Sequence, residues 1–148
     1  MFSGFYGFPI GREIFLQDPV LSKIDKKYKI LHGAFLKVNS NSAYHWHIDR
    51  KRGASINMLM TYESLSFALF YKNKDDYITD KQQFETVKLA YEPNHFFLFN
   101  TQQYHSLINF DAPRVIFSCL FEEEKDDLTY EMVKDYCIEI NLAKESNV

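Results

Sequence analysis

Cysteine is scarce in this chain of 148 residues, which contains Cys119, Cys137 and no other. Two cysteines are too few for a disulfide framework, and their separation excludes a CxxC metal or redox motif. We therefore expect both thiols to be buried and to behave as small hydrophobic side chains in a reducing compartment.

Glycine, proline, long apolar runs and basic charge are also sparse. Five Gly and four Pro exclude a collagen-like chain and argue against a disordered one. No apolar stretch approaches the ~20 residues that cross a bilayer, and residues 1–7 lack the basic and continuous apolar regions of a signal peptide. The net charge of −3 gives no sign of the basic stripe that nucleic-acid binding requires. These absences predict a soluble, cytoplasmic protein with neither a membrane nor a nucleic-acid partner.

Aromatic residues, by contrast, are abundant, with 14 Phe and 10 Tyr in the chain. Aromatic and β-branched residues favour strands. Short apolar segments separated by turn signals predict a mainly β sandwich or barrel. These segments are 34–38, 55–62, 66–71, 85–91, 95–99, 104–110 and 114–121. The length is that of one domain, so we predict a single domain over residues 1–148 with its β core at approximately 34–121.

Two helices are predicted on either side of that β core. Asp18 and Pro19 are typical of a helix start, with Asp as the N-cap and Pro at the first helical position. Near the C-terminus, apolar residues recur at helical spacing over approximately 127–141, with Asp126 or Asp127 as the expected N-cap. This second helix would pack on one face of the sheet.

A candidate metal site begins in the segment 44–49, whose sequence is YHWHID. Residues two apart on a strand point the same way, so His47 and Asp49 can approach one ion, and His45 is a rival ligand if the strand is regular. Three ligands from adjacent positions would crowd one side of the ion, whereas the distant His105 completes a facial set more naturally. Our interpretation is a site of His47, Asp49 and His105, and two imidazoles with one carboxylate suit iron(II) or manganese.

Arg114 adds a permanent cation shortly after the second histidine. It follows a turn that contains Pro113 and heads an apolar strand, where a charged side chain needs a partner. If the turn carries the chain to a facing sheet ~10 Å away, Arg114 and His105 would line one cavity, and a dicarboxylate could bridge the metal and the guanidinium. The alternatives are a salt bridge to Asp111 or Glu122, or exposure at the turn.

Together these residues resemble the pattern of the iron(II)- and 2-oxoglutarate-dependent dioxygenases, in which His-x-Asp precedes a distal His and then a basic residue. The resemblance implies a double-stranded β-helix core, a jelly-roll or cupin-like sandwich. It implies that His47, Asp49 and His105 are the catalytic residues that hold iron(II). It also implies that Arg114 binds the distal carboxylate of the cosubstrate 2-oxoglutarate.

Features of two branches of that superfamily are mixed in this chain. Tyr44 precedes the His-x-Asp pair with the spacing of the prolyl-hydroxylase-like branch, in which the Tyr hydroxyl contacts the cosubstrate. The spacing from His105 to Arg114 resembles the plant-type branch, but Ile116 stands where that branch has Ser. Ser118, one strand step further on the same face, is an alternative contact. The resemblance therefore implies Tyr44 or Ser118 as a second cosubstrate contact and does not select a branch.

The implied activity is a hydroxylase-type oxidation of a small molecule or protein side chain, coupled with decarboxylation of 2-oxoglutarate to succinate. The loop 50–53 and the polar excursion 72–81 are where substrate selectivity is expected. Asn57 is either a pocket-lining residue or, as we expect, an edge or turn amide. Two other interpretations stay open: a cupin-like metalloprotein without 2-oxoglutarate, in which His45 is an additional ligand, and a non-catalytic β-sandwich interaction module.

Overall fold

The computed structural model describes residues 5–61, 66–72 and 85–143, and these ranges form nine strands and three helices. The strands are β1 (Phe5–Ile10), β2 (Ile30–Val38), β3 (Ser42–His47), β4 (Ala54–Leu59), β5 (Ser66–Tyr71), β6 (Thr86–Ala90), β7 (Phe96–Asn100), β8 (His105–Asn109) and β9 (Arg114–Phe121). The helices are α1 (Arg12–Phe15), α2 (Pro19–Asp25) and α3 (Tyr130–Glu139).

The strands form two antiparallel sheets. The larger sheet has the order β1-β2-β9-β4-β7, and the smaller sheet has the order β3-β8-β5-β6. From β2 onward the chain crosses repeatedly between the two sheets, so that β2 pairs with β9 and β3 pairs with β8. This winding is a double-stranded β-helix, and it confirms the predicted fold class.

Strand β9 contributes side chains to both faces of the larger sheet, because successive residues of a strand point to opposite faces. Phe117, Cys119 and Phe121 belong to the main hydrophobic core, which also contains buried residues of all three helices. Ile116 and Ser118 point the other way and line a cavity between the sheets. The helices therefore cover the outer face of the larger sheet, and side chains of its inner face line the cavity.

The predicted helix starts are right for α2 and wrong for α3. Asp18 caps α2, because its Oδ1 accepts hydrogen bonds from the backbone N–H groups of Val20 at 2.8 Å and Leu21 at 3.2 Å. The C-terminal helix is present, but its N-cap is Thr129, whose hydroxyl accepts from the backbone N–H of Met132 at 3.3 Å. A Thr at this position satisfies a free N–H group of the first turn as an Asp would.

The predicted elements and the described ones do not match everywhere. Strand β1 and helix α1 were not predicted. Residue 62 of the predicted segment 55–62 and residues 73–81 of the predicted excursion 72–81 lie outside the described residues. Within the ranges that the structure describes, no helix is long and apolar enough to cross a membrane.

Both cysteines are buried and free, as predicted. Burial, and to a smaller extent the charge of Asp18, raises the pKa of Cys119 to about 12. Burial also raises the pKa of Cys137. Thiols with raised pKa values are poor nucleophiles at neutral pH, so these two residues are structural.

Candidate metal centre

A cavity of about 140 Å³ lies between the two sheets. The structure brings all the predicted site residues to its walls. They are Tyr44, His47, Asp49, His105, Arg114 and Ser118. The turn between β8 and β9 carries the chain from the smaller sheet to the larger one, which places the histidine and the arginine in one cavity as the sequence argument required.

Three of these residues form a group that can hold a metal ion. Each of His47, Asp49 and His105 offers one ligand atom, and these atoms lie within 4.8 Å of one another. Nε2 of His47 is 3.6 Å from Oδ1 of Asp49, and the two imidazole ring centroids are 4.3 Å apart. Metal–ligand bonds of ~2.0–2.2 Å require ligand atoms this close together.

Both imidazoles are oriented by backbone carbonyls. Nδ1 of His47 donates to the carbonyl of His45 at 2.7 Å, and Nδ1 of His105 donates to the carbonyl of Gln103 at 2.8 Å. A carbonyl only accepts, so the proton is on Nδ1 and Nε2 keeps its lone pair for a metal. Burial lowers the pKa of His105, with the nearby His47 adding to the effect, which favours the neutral ring that a metal needs.

A β-bulge in β3 decides which histidine faces the cavity. Tyr44 pairs with Leu107 and His47 pairs with His105, so three residue steps on β3 oppose two on β8. The extra residue shifts the alternation of side chains by one position. As a result His45 is exposed, whereas Tyr44 and His47 both line the cavity with ring centroids 4.6 Å apart. The assumption of a regular strand, under which His45 is a rival ligand, is therefore wrong.

Asp49 lies beyond the end of β3, in the loop that leads to β4. Its side chain is nearly buried, and its Oδ2 is 2.7 Å from Nη2 of Arg52. Oδ1 is the oxygen nearer to His47. Arg52, in the loop 50–53, thus lines the cavity and fixes the orientation of the carboxylate.

Arg114 is completely buried, with 0% of its surface exposed. Among the described residues no carboxylate accepts a hydrogen bond from its three guanidinium nitrogens, so the predicted partners Asp111 and Glu122 do not neutralise it. Its Cζ lies 4.3 Å from the ring centroid of Tyr91. Burial lowers the pKa of Arg114, an effect that the nearby Tyr91 partly offsets. A buried cation without an anionic partner is costly, and it fits a site for an anionic ligand.

Among the cavity residues, Asn57 was misinterpreted from the sequence and Tyr91 was missed. Asn57 is buried in the middle of β4, where its side chain donates to Oγ of Ser55 at 3.2 Å, so the interpretation as an edge or turn amide is wrong. A polar residue within an apolar strand was the signal for it. Tyr91 follows β6 and carried no signal, since its role depends on Arg114 and on Phe99, on which it stacks.

The fold also occurs in known structures. No protein-family model matches this chain, and no curated protein is detectably similar to it in sequence. An oxidoreductase of the 2OG-Fe(II) oxygenase family from Burkholderia pseudomallei superposes with a TM-score of 0.61 at 9% identity, covering 86% of this chain and 72% of that one. The non-heme monooxygenase ThoJ in complex with nickel gives 0.50 at 13% identity, covering 80% and 57%. Identities this low show a shared fold alone.

Proposed function

We propose that this protein is an iron(II)- and 2-oxoglutarate-dependent oxygenase. It would couple decarboxylation of 2-oxoglutarate to succinate and CO2 with oxidation of a substrate by O2. The substrate would be a small molecule or a protein side chain, and the protein would act in the cytoplasm.

The observation that carries this proposal is the buried guanidinium of Arg114, which has no carboxylate partner among the described residues and lies in the same cavity as the three candidate metal ligands. A monoanion could satisfy Arg114 alone. A 2-oxo dicarboxylate satisfies both ends of the cavity, because one carboxylate can form a bidentate pair with the guanidinium while the 2-oxo acid end faces the metal ligands.

Each candidate site residue has a defined task in this scheme. His47 and His105 present Nε2, and Asp49 presents one carboxylate oxygen, so one face of the ion would be protein and the other free. Bound iron(II) would supply the redox chemistry with oxygen. Arg114 would fix the far carboxylate, and the hydroxyl of Tyr44 or of Ser118 would donate a hydrogen bond to the cosubstrate.

The experiment that tests the proposal is an anaerobic titration of purified protein with iron(II) and then 2-oxoglutarate. Chelation of the 2-oxo acid by iron(II) gives a weak visible charge-transfer band, which we expect only when both are present. A folded protein that retains iron but shows no band with 2-oxoglutarate would instead be a cupin-like metalloprotein. A protein that binds neither would be an interaction module.

Two variants separate the metal from the cosubstrate. Asp49→Ala should abolish iron retention, since it removes the anionic ligand. Arg114→Ala should retain iron but weaken 2-oxoglutarate binding by ~10- to 100-fold, as expected for loss of a charge-assisted hydrogen bond of ~1.5–3 kcal/mol. Arg50→Ala, an exposed arginine on the neighbouring loop, is the matched control. Undiminished affinity in Arg114→Ala would show that the anion binds elsewhere.

A further inference from the structure

The turn formed by residues 101–103 contacts both segments that carry the candidate metal ligands. It follows β7, which belongs to the larger sheet, and it precedes β8, which belongs to the smaller sheet. Its side chains and carbonyls reach Asp49 on one side and His105 on the other. We call it the 101–103 turn.

Asp49 needs such support because no strand holds it. Strand β3 ends at His47 and β4 begins at Ala54, so the carboxylate belongs to an irregular loop. The backbone N–H of Asp49 donates to the carbonyl of Thr101 at 2.9 Å. The hydroxyl of Thr101, a residue with 2% exposure, donates to the carbonyl of Arg52 at 2.6 Å.

Gln102 closes this loop from the other end. Its side-chain Nε2 lies 2.8 Å from the carbonyl oxygen of Asp49 and 2.6 Å from that of Arg52. An amide NH2 group has two hydrogens, and each of them is donated to one of these carbonyls. The Gln102 side chain therefore connects Asp49, a candidate ligand, with Arg52, whose side chain orients that ligand.

The same turn orients the distal histidine. The carbonyl of Gln103 accepts the Nδ1 proton of His105 at 2.8 Å, and the side chain of Gln103 donates to the carbonyl of Tyr71 on β5. Three consecutive residues thus connect Asp49 and His105, which arrive from different parts of the chain.

We propose that the 101–103 turn is a positioning device that fixes the metal ligands before the ion binds, with the amide of Gln102 as its central donor. This inference rests on the proposed function to the extent that His47, Asp49 and His105 bind a metal. It goes beyond it because Gln102 does not line the cavity, and both Thr101 and Gln102 act here through hydrogen bonds to the loop of Asp49. Hydrogen-bond partners behind metal ligands typically change metal affinity ~10- to 100-fold when they are removed.

The test compares binding of Mn(II), an oxygen-stable probe, to the wild-type chain and to Gln102→Glu. Glutamate has the shape of glutamine but replaces the two N–H donors with an acceptor that faces two carbonyl oxygens. We expect Mn(II) to bind ~10- to 100-fold more weakly to Gln102→Glu, measured from the electron paramagnetic resonance signal of free Mn(II). Gln17→Glu, the same change at an exposed position, should bind Mn(II) like the wild type.

Thr101→Val and Thr101→Ser provide an independent pair if Gln102→Glu does not fold. Valine removes the hydroxyl without changing the volume, and it should weaken Mn(II) binding and speed hydrogen exchange at the Asp49 amide. Serine keeps the donor and should restore both. A purely structural role would lower the free energy of unfolding and leave the Kd of the folded protein for Mn(II) unchanged.

The outcomes separate the two proposals. If the wild type binds Mn(II) and both donor-removing variants bind it equally well, the positioning role is wrong while the metal site stands. If the wild type binds neither Mn(II) nor iron(II), the proposed function fails and this inference fails with it. Weaker binding in both variants, with the serine and Gln17 controls unchanged, establishes the positioning role.

Discussion

His45 and His47 are chemically identical and two positions apart, yet only one of them borders the cavity. The bulge in β3 leaves His45 exposed, and its backbone carbonyl accepts from Nδ1 of His47. Because that contact uses the main chain, it does not depend on the His45 side chain. Identity of residue type is therefore not enough to assign a ligand in this segment.

This difference gives a direct prediction for the pair. His47→Ala should weaken binding of Mn(II) at least ~100-fold because one of three ligands is lost, whereas His45→Ala should change it less than twofold. Equilibrium dialysis of the two variants beside the wild type measures both values. Equal losses in the two variants would mean that the strand is regular in solution and that His45 is a ligand after all.

At the level of single residues, the sequence was informative where chemistry alone carries the signal. The residues His47, Asp49, His105 and Arg114 are of types that bind metals and carboxylates, and their order along the chain is recognisable. Gln102 could not be found this way, because its role lies in two hydrogen bonds to main-chain carbonyls that exist only once the loops meet.

At the scale of elements, strand positions were predictable because side-chain alternation and turn residues mark them. The predicted segments 66–71 and 114–121 coincide with β5 and β9. The bulge in β3 was not predictable. The two-residue period of side-chain alternation assumes a regular strand, and no residue type in this segment indicates an extra residue. Strand β1 was missed because Gly7 and Pro9 weaken its strand signal.

The N-cap of α3 offers a prediction at the same scale. Thr129→Ala should lower the free energy of unfolding by ~1 kcal/mol, because its hydroxyl satisfies the backbone N–H of Met132. Asp127→Ala, at one of the two residues predicted as the cap, should change it by less than ~0.5 kcal/mol, as is usual for surface substitutions. Urea unfolding of both variants measures the difference. A larger effect at Asp127 would move the helix start back to the predicted cap.

At the scale of the whole molecule, the two faces of the larger sheet have different roles, one in stability and the other in forming the cavity. The outer face, covered by three helices, supplies the apolar core that stabilises the protein. The inner face contributes Asn57, Arg114 and Ser118 to a cavity, where polar and charged groups replace apolar contacts. Sites of this kind reduce stability in exchange for ligand binding.

This division predicts that removing the buried charge stabilises the empty protein. Arg114→Met keeps a long side chain but eliminates a buried guanidinium that has no carboxylate partner among the described residues, so the free energy of unfolding should rise by at least ~1 kcal/mol and Tm by ~2–4 °C. The wild type, but not this variant, should gain ~2.7 kcal/mol from 2-oxoglutarate at 100 times its Kd in the presence of metal. Scanning calorimetry with and without the dicarboxylate checks both statements. A fall in Tm for Arg114→Met would assign the arginine a structural task.

The bulge in β3 also bears on how far the length of this chain can change. Between Tyr44 and His47 the strand has one residue more than its partner, so removal of His45 would keep the pairings of Tyr44 with Leu107 and of His47 with His105. The same removal would also delete the backbone carbonyl that accepts from Nδ1 of His47. We therefore expect a one-residue deletion ahead of the first ligand to preserve the sheet and to change the orientation of that ligand.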